Sequence, residues 1–555
     1  MARGRIPLPL RGRLAPFPQP SPFRLTALFP SRAPVNSILQ ARRRFATERS
    51  ENTQLGAEQD AKNGAEHDAA AESATKTAVD DTQSAKALSD EAASSSSSII
   101  SSATQDVKDW EANPNFKIES FKDLPHVNFG VNQHIPFDAE FKEVLKRIPW
   151  QFKAPIRYAF AYGSGVFPQA KGGRAATEAA IQAIHPKAPL AVQRAQDGTP
   201  KMIDFIFGVT HTQHWHSLNM KHHRDHYSAL ASLGSGAVSY VQDKWGAGVY
   251  FNPYIIMNGI LIKYGVVQID TLERDLAEWD TMYLAGRLQK PVKILRDDPS
   301  IRLANQINLL AALRTALLLL PPEFTEEELY ATIAGISYMG DPRMALPTEN
   351  KSKVKNIVGN NMTSFRRLYL PLIDTLPNVD FNDPRCRTGN WVWDAEINMK
   401  LIQDMDPIKR ANMVRRLPKK FRARLYFQYQ KKFAIPQEDF DRMMMENKNE
   451  DSVSFKRREG GGFERRIVQD DPEELRKYIR TVIKQTVSWP ATTQSLKGPL
   501  MAGISRTWRY MSEKIGKYRQ GKVQEKAEEA TEATQAPEKE EPSPPKTEGE
   551  KEAKK

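Results

Sequence analysis

The sequence predicts an α+β protein, with a mixed-sheet domain followed by a helical domain between disordered termini. Three observations predict this class. Short segments rich in β-branched and aromatic residues alternate with helical patterns from about residue 150 to 300. Residues 299–345 have a helical pattern throughout. Both ends of the 555-residue chain are poor in apolar residues, so the folded part is expected between about residues 110 and 520.

Residues 1–47 form a basic leader with nine arginines and no acidic residue. That composition is typical of a mitochondrial transit peptide, and ARRRFATERS (41–50) resembles the place where such a leader is cut. A disordered basic arm that binds nucleic acid is the alternative. A secretory signal is excluded because the leader has no uninterrupted apolar core. The net charge of +13 is compatible with acidic partners, although part of it comes from the leader.

Two further segments are predicted to be disordered. Residues 48–109 form a spacer rich in Ala, Ser, Glu, Asp and Lys, and residues 523–555 form a charged tail. The single cysteine, Cys386, excludes a disulfide framework and a cysteine-based zinc cluster. No run of 18 or more apolar residues occurs, so no transmembrane helix is expected.

The sheet domain is expected to span residues 110–298. IRYAFAYG (156–163) and MIDFIFGV (202–209) each predict a strand. GVYFNPYIIM (248–257) and LIKYGVVQI (261–269) predict a hairpin around the turn Asn258-Gly259. The apolar spacing predicts one helix over 271–288 and a strand over 291–295.

A helical domain is expected to follow at 299–379. NLLAALRTALLLL (308–320) predicts a buried helix, and Thr325 with Glu328 predicts a capping box at the start of another. The strongly basic region 380–470 is interpreted as an insertion. Residues 471–522 are expected to form an ordered C-terminal segment.

AYGSGVFPQ (161–169) places Gly163-Ser164-Gly165 directly after the first strand. Such a turn can open a helix whose N–H groups bind phosphate. The Gly-Lys-Ser/Thr of a P-loop does not follow, and Pro168 stands where a Rossmann fingerprint has its third glycine. A tight turn without a ligand is therefore the alternative.

Asp204 sets a carboxylate in an otherwise apolar strand. Burying an unpaired charge is costly, so a metal ion or a cation is expected beside it. Nucleotidyltransferases of the DNA polymerase β type hold a triphosphate and Mg²⁺ between a Gly-Ser turn and an acid on the neighbouring strand. The second carboxylate expected two residues later is Ile206 here. Either one ion suffices, or another acid completes the site: Asp270, Glu273 or Asp275.

A series of motifs follows one another in a recognisable order: FAYGSGVF, DFIFGV, HWHSLNM, HYSAL, GAGVYFN, IKYGVV, YLAGRLQKPVKIL, IAGISYMGDPRM and QSLKGPLMAGI. Together they resemble the mitochondrial translocator assembly and maintenance protein family, the mitochondrial phosphatidate cytidylyltransferases. The likeness covers roughly residues 116–375 and 480–520. It implies a nucleotidyltransferase-type sheet domain and leaves a winged-helix-like form open for the helical domain.

The resemblance implies that CTP and phosphatidic acid give CDP-diacylglycerol and pyrophosphate with Mg²⁺, feeding cardiolipin and phosphatidylglycerol synthesis. It implies a peripheral protein on the matrix side of the inner membrane, in contact with anionic lipids, and no nucleic-acid partner is expected. We expect Asp204 and Ser164 to be catalytic, with Asp204 also binding the metal. The expected nucleotide-binding residues are Tyr162, Gly163, Ser164, Gly165, Lys263, Arg287 and Lys290. Positioning and charge neutralisation suffice for this reaction, so no strong general base is expected.

Three of these basic residues have structural alternatives. Lys263 lies in an apolar strand and either reaches solvent along its aliphatic stem or faces the triphosphate. Arg287 and Lys290 follow a helix end, where the helix dipole attracts cations, or else they contact phosphate.

Six of the ten histidines fall within residues 211–226. This density suggests a transition-metal site, although no HExxH pattern is present. His216, Asn219 and His226 lie in the family-like motifs and are predicted to line the substrate pocket. Ordinary packing is the alternative for all three.

ISRTWRYMSEKIGKYRQGK (504–522) predicts a basic amphipathic helix with Glu513 as its only acid. Such a helix is typical of an anchor at the surface of an anionic membrane. A helix packed on the domain with a solvated basic face is the alternative. The predicted membrane-binding residues are Ile504, Trp508, Arg509, Met511, Ile515 and Tyr518.

Two functions from different classes are compatible with the sequence. The first is the lipid cytidylyltransferase, favoured by the intact Gly-Ser-Gly turn, Asp204 and the terminal helix. The second is a non-enzymatic mitochondrial assembly factor or RNA-binding protein on a degenerate nucleotidyltransferase fold. The missing second carboxylate favours this second function.

Overall fold

The computed structural model describes residues 110–111, 117–169, 176–196, 200–345, 352–387, 389–443, 445, 462–509, 511–512 and 516. The predicted leader (1–47), spacer (48–109) and tail (523–555) lie outside the described residues.

A five-stranded mixed sheet forms the first half of the fold. Its strands are β1 (Tyr158–Tyr162), β2 (Ile203–Val209), β3 (Val249–Met257), β4 (Ile260–Gln268) and β5 (Lys293–Arg296). They lie in the order β3-β4-β2-β1-β5. Strands β2 and β4 are parallel and the other neighbours are antiparallel. The predicted mixed sheet and its strands are confirmed.

The hairpin between β3 and β4 turns at Asn258-Gly259, as predicted. Both residues have positive φ, 50° and 76°, as in the hairpin turns that Asn-Gly favours. Further along the hairpin, Asn252 pairs with Tyr264 and Ile255 pairs with Ile262. Two residues of β3 therefore oppose Lys263 alone, which makes a β-bulge at the edge of the sheet.

Helices cover both faces of this sheet. The described ones are α1 (Ala139–Arg147), α2 (Glu178–Ile184), α3 (Leu190–Ala195), α4 (Thr212–His222), α5 (Ser235–Lys244), α6 (Ile269–Glu278) and α7 (Ala285–Leu288). Trp215 of α4 packs near Tyr264 on one face. Ile269 of α6 packs against Gly208 on the other face, which also carries Asp204 because side chains alternate along a strand.

The single helix predicted over 271–288 is wrong, because the chain leaves the helix after Glu278. Trp279 and Met282 adopt positive φ, 55° and 54°. The buried Asp275 carboxylate accepts hydrogen bonds from the Thr281 side chain and from four backbone N–H groups between residues 281 and 285. This cap stabilises the loop between α6 and α7, and apolar spacing alone does not reveal it.

The second half is built on the buried helix α8 (Pro299–Leu319), followed by α9 (Glu326–Ile336), α10 (Lys353–Gly359) and α11 (Met362–Ile373). The predicted capping box of Thr325 and Glu328 is confirmed at the start of α9. Strands β6 (Glu323–Thr325), β7 (Val379–Phe381) and β8 (Lys400–Gln403) form an antiparallel sheet in the order β6-β8-β7. This small sheet joins the predicted helical domain to the first part of the predicted insertion.

The rest of the described chain is helical. It forms α12 (Pro407–Arg415), α13 (Lys419–Lys432), α14 (Gly462–Val468), α15 (Pro472–Leu496) and α16 (Gly498–Ala502), and residues 504–509 are helical as well. Among the helices that the structure describes, none is long and apolar enough to cross a bilayer.

Candidate active site

The Gly-Ser-Gly segment forms a tight turn at the end of β1. Gly163 has φ +81°, in the left-handed region that glycine adopts without strain. Its carbonyl oxygen accepts hydrogen bonds from the N–H groups of Val166 and Phe167, at 3.0 and 2.9 Å. Residues 164–169 are not helical, and the next helix described begins at Glu178. The possibility that the turn opens a helix is therefore wrong, and any phosphate contact would come from the turn itself.

Gly165 lets this turn lie directly against the start of β2. A Cβ atom there would lie 2.7 Å from the Met202 carbonyl oxygen and 3.1 Å from the Ile203 Cα. The Gly165 carbonyl oxygen also accepts a 2.7 Å hydrogen bond from Gln196. The turn is thereby held beside the strand that carries Asp204.

We expect Gly165→Ala to destabilise the protein by about 1–3 kcal/mol, because backbone atoms must move to admit the new methyl group. Gly236→Ala is the matched control, since Gly236 lies in α5 and a Cβ there would only touch the end of the Gln213 side chain at 3.7 Å. Chemical denaturation measures both. Equal stability of the two variants would contradict the close packing at Gly165.

Asp204 lies in the middle of a row of three neighbouring residues on adjacent strands. It pairs with Tyr162 of β1 on one side and with Lys263 of β4 on the other. The Lys263 Nζ lies 3.3 Å from Asp204 Oδ1, within ion-pair distance. The same buried oxygen has no hydrogen-bond partner. The two observations agree because the Lys263 ammonium neutralises the carboxylate without pointing an N–H bond at Oδ1. This Asp204 oxygen can therefore still accept a bond from a ligand.

None of the three acids considered as partners of Asp204 lies beside it. The Asp275 carboxylate is occupied by the backbone cap described above. Asp270 and Glu273 belong to α6, which begins after the far end of β4, five residues beyond Lys263. Burial raises the pKa of Glu273, whose neighbours are Ser300, Asp270 and Asp298. Of the two alternatives that the sequence left open, these contacts favour the one in which a single ion at Asp204 suffices.

Arg287 brings a cation to the same face of the sheet. Its guanidinium lies 5.6 Å from the centre of the Tyr162 ring and 4.1 Å from that of Tyr283. One of its N–H groups donates to the Tyr283 carbonyl oxygen, while the buried Nε has no hydrogen-bond partner. The structure therefore brings together Tyr162, Asp204, Lys263 and Arg287, four of the residues expected at the site.

Lys290 extends this basic region towards α9 and α10. Its ammonium donates to the Gly286 carbonyl oxygen and, at 3.0 Å, to the Ser337 hydroxyl. The Tyr338 ring lies between two lysines, with Lys290 and Lys353 each 5.0 Å from its centre. Burial, with the charges of Arg287 and Lys353, lowers the pKa of Lys290 to about 7.

Sequence reasoning missed two members of this basic cluster. Lys353 begins α10, and Arg343 forms a bidentate ion pair with Asp341 close enough to Arg287 for their charges to interact. Arg343 lies in the family-like motif IAGISYMGDPRM, and this motif could have identified it as a site residue. Lys353 follows a stretch without a regular pattern, so its position depends on the tertiary fold.

The residues present fit a nucleoside triphosphate with a magnesium ion. Mg²⁺ is commonly held by one or two carboxylates together with substrate phosphates, and Asp204 offers a buried, unbonded oxygen. Arg287 lies beside Tyr162, which directly precedes the turn, and the charge of Lys290 interacts with that of Arg287. This donor set matches a triphosphate because most of its charges are positive and one oxygen ligand serves the metal.

The three predicted pocket residues lie on the opposite face, under α4 and α5. His216 forms hydrogen bonds with Tyr227 (2.9 Å) and Gln242 (2.7 Å), and Asn219 donates to Tyr227 and Tyr264. His226 Nδ1 lies 2.8 Å from the Tyr264 hydroxyl. All three are buried, and Tyr264 points away from the Asp204 face because it follows Lys263 in the strand. The contacts favour the packing alternative over a direct place in the substrate pocket.

Burial lowers the pKa of both His216 and His226 to about 4, so both rings are neutral at physiological pH. Within the described chain, His223, Asp225 and His226 form a group that could hold a metal, with ligand atoms within 4.8 Å of one another. Among the clustered histidines that the structure describes, His223 and His226 are the two that form such a group, together with Asp225.

The helix at 504–509 lies against the edge of the sheet. Arg506 donates to the carbonyl oxygens of Asp225 (2.6 Å) and His226 (2.9 Å), and the Arg509 guanidinium lies 4.6 Å from the Tyr254 ring centre. Tyr254 belongs to the bulge opposite Lys263. Ile504 and Trp508 are 83% and 74% exposed, and Met511 is exposed as well. Ile515 and Tyr518 lie outside the described residues.

Comparison with known proteins decides the family. The family profile described as "Phosphatidate cytidylyltransferase, mitochondrial" matches residues 145–517. The chain belongs to the mitochondrial phosphatidate cytidylyltransferase family. The resemblance that the ordered motifs indicated is confirmed.

Curated relatives of that name occur in fungi and vertebrates. The Schizosaccharomyces pombe protein is 33% identical over 389 residues, covering 70% of this chain and 86% of the relative. The Xenopus laevis protein is 34% identical over 385 residues, covering 68% of this chain and 96% of the relative. The Saccharomyces cerevisiae protein is 43% identical over 249 residues, covering 44% and 59%. All three are named as enzymes of the mitochondrion, which favours the enzymatic function over the degenerate assembly factor or RNA-binding protein.

Proposed function

We propose that this mitochondrial phosphatidate cytidylyltransferase family member transfers a cytidylyl group from CTP to phosphatidic acid, forming CDP-diacylglycerol and pyrophosphate. The product would feed cardiolipin and phosphatidylglycerol synthesis. One observation supports this proposal above the others. On one face of the sheet, Asp204 lies beside the Gly163–Gly165 turn and near the cations Lys263 and Arg287.

The triphosphate of CTP would occupy the space between the turn and this basic cluster. Backbone N–H groups of the turn, with Ser164, would contact phosphate oxygens, and Arg287 and Lys290 would neutralise their charge. Lys263 lies at the Asp204 carboxylate in this structure. Its ammonium group would shift towards the phosphates when the nucleotide binds. The phosphatidate oxygen is ionised, so it attacks the α-phosphorus in line without a strong base.

Asp204 is the residue that would hold Mg²⁺, through the oxygen that has no hydrogen-bond partner. When bound, the ion would neutralise phosphate charge and align the triphosphate. The chain's own contribution is a fixed carboxylate position, because Asp204 is anchored between two strands.

We further propose a peripheral place on the matrix side of the inner membrane, reached through the helix that begins at Ile504. The exposed Ile504, Trp508 and Met511 would enter the lipid surface while Arg509 stays near its phosphates. Arg506 holds the start of this helix on the sheet domain through two carbonyl oxygens, so the folded body would present these exposed side chains to the lipid.

The reaction is tested with the purified chain from about residue 110 onward, labelled CTP, Mg²⁺ and phosphatidic acid in detergent. CDP-diacylglycerol and pyrophosphate should form in equal amounts, and chelation of the metal should stop the reaction. Absence of CDP-diacylglycerol, with binding of RNA in its place, would instead support the non-enzymatic alternative.

Lys290 gives a pH dependence with a definite sign. Its pKa of about 7 means that its charge is present below pH 7 and is lost as the pH rises through 7. The KM for CTP should therefore rise by about 3- to 10-fold between pH 6 and pH 8.5, beyond any change that the substrate itself causes. Lys290→Arg keeps its charge throughout and should remove this component. An identical pH profile for wild type and variant would contradict the role of Lys290.

A further inference from the structure

A set of apolar side chains lies exposed on the folded body, outside the terminal helix. Trp489 and Leu496 of α15 are each 71% exposed. They lie seven residues apart, which places them on the same side of a helix. Further large apolar side chains are exposed on the elements that pack around the end of α15. The whole set, the Trp489 surface, comprises Leu233, Tyr240, Trp245, Trp489, Leu496 and Leu500.

The end of α5 packs directly on the end of α15. A Cβ atom at Gly246 would lie 3.1 Å from the Gln494 backbone nitrogen. The buried Lys497 ammonium donates a 2.6 Å hydrogen bond to the Trp245 carbonyl oxygen. The exposed Trp245 side chain therefore lies beside the segment that carries Leu496.

The 3₁₀ turn Ala229–Leu233 packs on α16 and completes the same surface. The Ser228 hydroxyl, which caps this turn, donates to the Leu500 carbonyl oxygen. Three residues after Leu500 the chain turns at Gly503 and enters the helix at Ile504. The Trp489 surface is therefore continuous with the proposed membrane helix along the chain.

The composition of this surface fits the boundary of a lipid bilayer. Two of its six members are tryptophan and one is tyrosine, whose amphipathic rings favour the headgroup region. The exposed Lys244 precedes Trp245 on this surface, next to the exposed Asp243, and the exposed Arg509 follows Trp508 on the adjoining terminal helix. Apolar and aromatic groups beside cations are complementary to an anionic membrane, where the cations meet lipid phosphates.

We propose that the Trp489 surface is a second membrane contact, which lies on the anionic bilayer together with the helix from Ile504. This inference rests on the proposed function, whose lipid substrate resides in a bilayer. Two separate contacts would fix the orientation of the body on the membrane, whereas one helix would fix only its attachment. The face of the sheet domain beside α15 is thereby directed at the lipid.

The test compares Trp489→Ser/Leu496→Ser with Trp393→Ser in the otherwise unchanged chain. Trp393 is 63% exposed, and it ends a 3₁₀ turn that packs beside β7 and α11. Cosedimentation uses vesicles of phosphatidylcholine with about one third phosphatidic acid. The double variant should bind about tenfold or more weakly than wild type, because two apolar contacts with lipid are lost. Trp393→Ser should bind like wild type.

Activity on a soluble short-chain phosphatidate separates this inference from the proposed function. The double variant should retain wild-type activity on that substrate while losing it on vesicles. Wild-type vesicle binding by the double variant would overturn the second contact, whatever the activity. A mass halved relative to wild type in light scattering would also overturn it, because the surface would then be an interface between two copies of the chain. If the wild-type protein did not catalyse the reaction, only the proposed function would be contradicted, because vesicle binding is measured in a separate experiment.

Discussion

Asp204→Asn should lower the turnover of CTP and phosphatidic acid by at least about 10²–10³-fold. The substitution keeps the shape of the side chain but removes the negative charge that neighbours Lys263 and that a metal ion would need, since one carboxylate oxygen becomes an NH₂ group. Folding should be preserved, because both side chains of this pair are partly exposed and Lys263 can still reach solvent. Product formation in detergent measures the loss, and circular dichroism checks the fold.

Asp270→Asn is the matched control for this prediction. Asp270 is exposed at the start of α6, beyond the far end of β4, and its partner within the described chain is Gln268. Its turnover should equal that of the wild type. Comparable losses in the two variants would mean that the acid needed for catalysis is not fixed by the row of Tyr162, Asp204 and Lys263.

A chain that stops after residue 503 should lose about 10- to 100-fold of its activity on vesicles. It lacks Ile504, Trp508 and Met511, whose exposed apolar side chains would enter the membrane surface. It also lacks Arg506, which holds the helix on the sheet domain. Activity is measured in parallel on vesicles and on soluble short-chain phosphatidate.

A chain that stops after residue 522 is the control, because it removes only the predicted tail and keeps the whole segment 504–522 that is predicted to be the amphipathic helix. Its activity should match the full chain on both substrates. If stopping after 503 reduced both activities equally, the terminal helix would support the fold or the reaction and would not act as an anchor. A melting temperature that is lowered only in the chain ending at residue 503 would show that the terminal helix supports the fold.

The strands and the family could be predicted from the sequence because both depend on short segments of neighbouring residues. Aromatic residues alternating with alanine mark β1, aromatic and β-branched residues mark β2, and Asn258-Gly259 marks the hairpin turn. The pairing of Asp204 with Tyr162 and Lys263 follows from the sheet order, which sequence alone does not give. The register of the strands therefore places Tyr162, Asp204 and Lys263, three separate candidates in the sequence, side by side in one site.

Other parts of the site depend on contacts between distant segments. Asp275 looked like a metal ligand because an acid near a nucleotide site is chemically suited to one, yet its oxygens cap a backbone loop. Lys353 joins Lys290 across the Tyr338 ring although 63 residues separate the two lysines in the sequence. The histidine cluster was ambiguous for the same reason, since Tyr227, Gln242 and Tyr264 decide its role.

The close contact of Gly286 with Ser337 has a consequence for the biogenesis of the protein. A Cβ atom at Gly286 would lie 2.3 Å from the Ser337 Cβ, and Lys290 bonds the hydroxyl of the same serine. Lys290 therefore reaches its place in the basic cluster only when the end of α9 lies against α7. Arg343 and Lys353 also follow Ser337 in the chain, so a nascent chain that has its sheet but not yet these residues lacks part of the basic cluster.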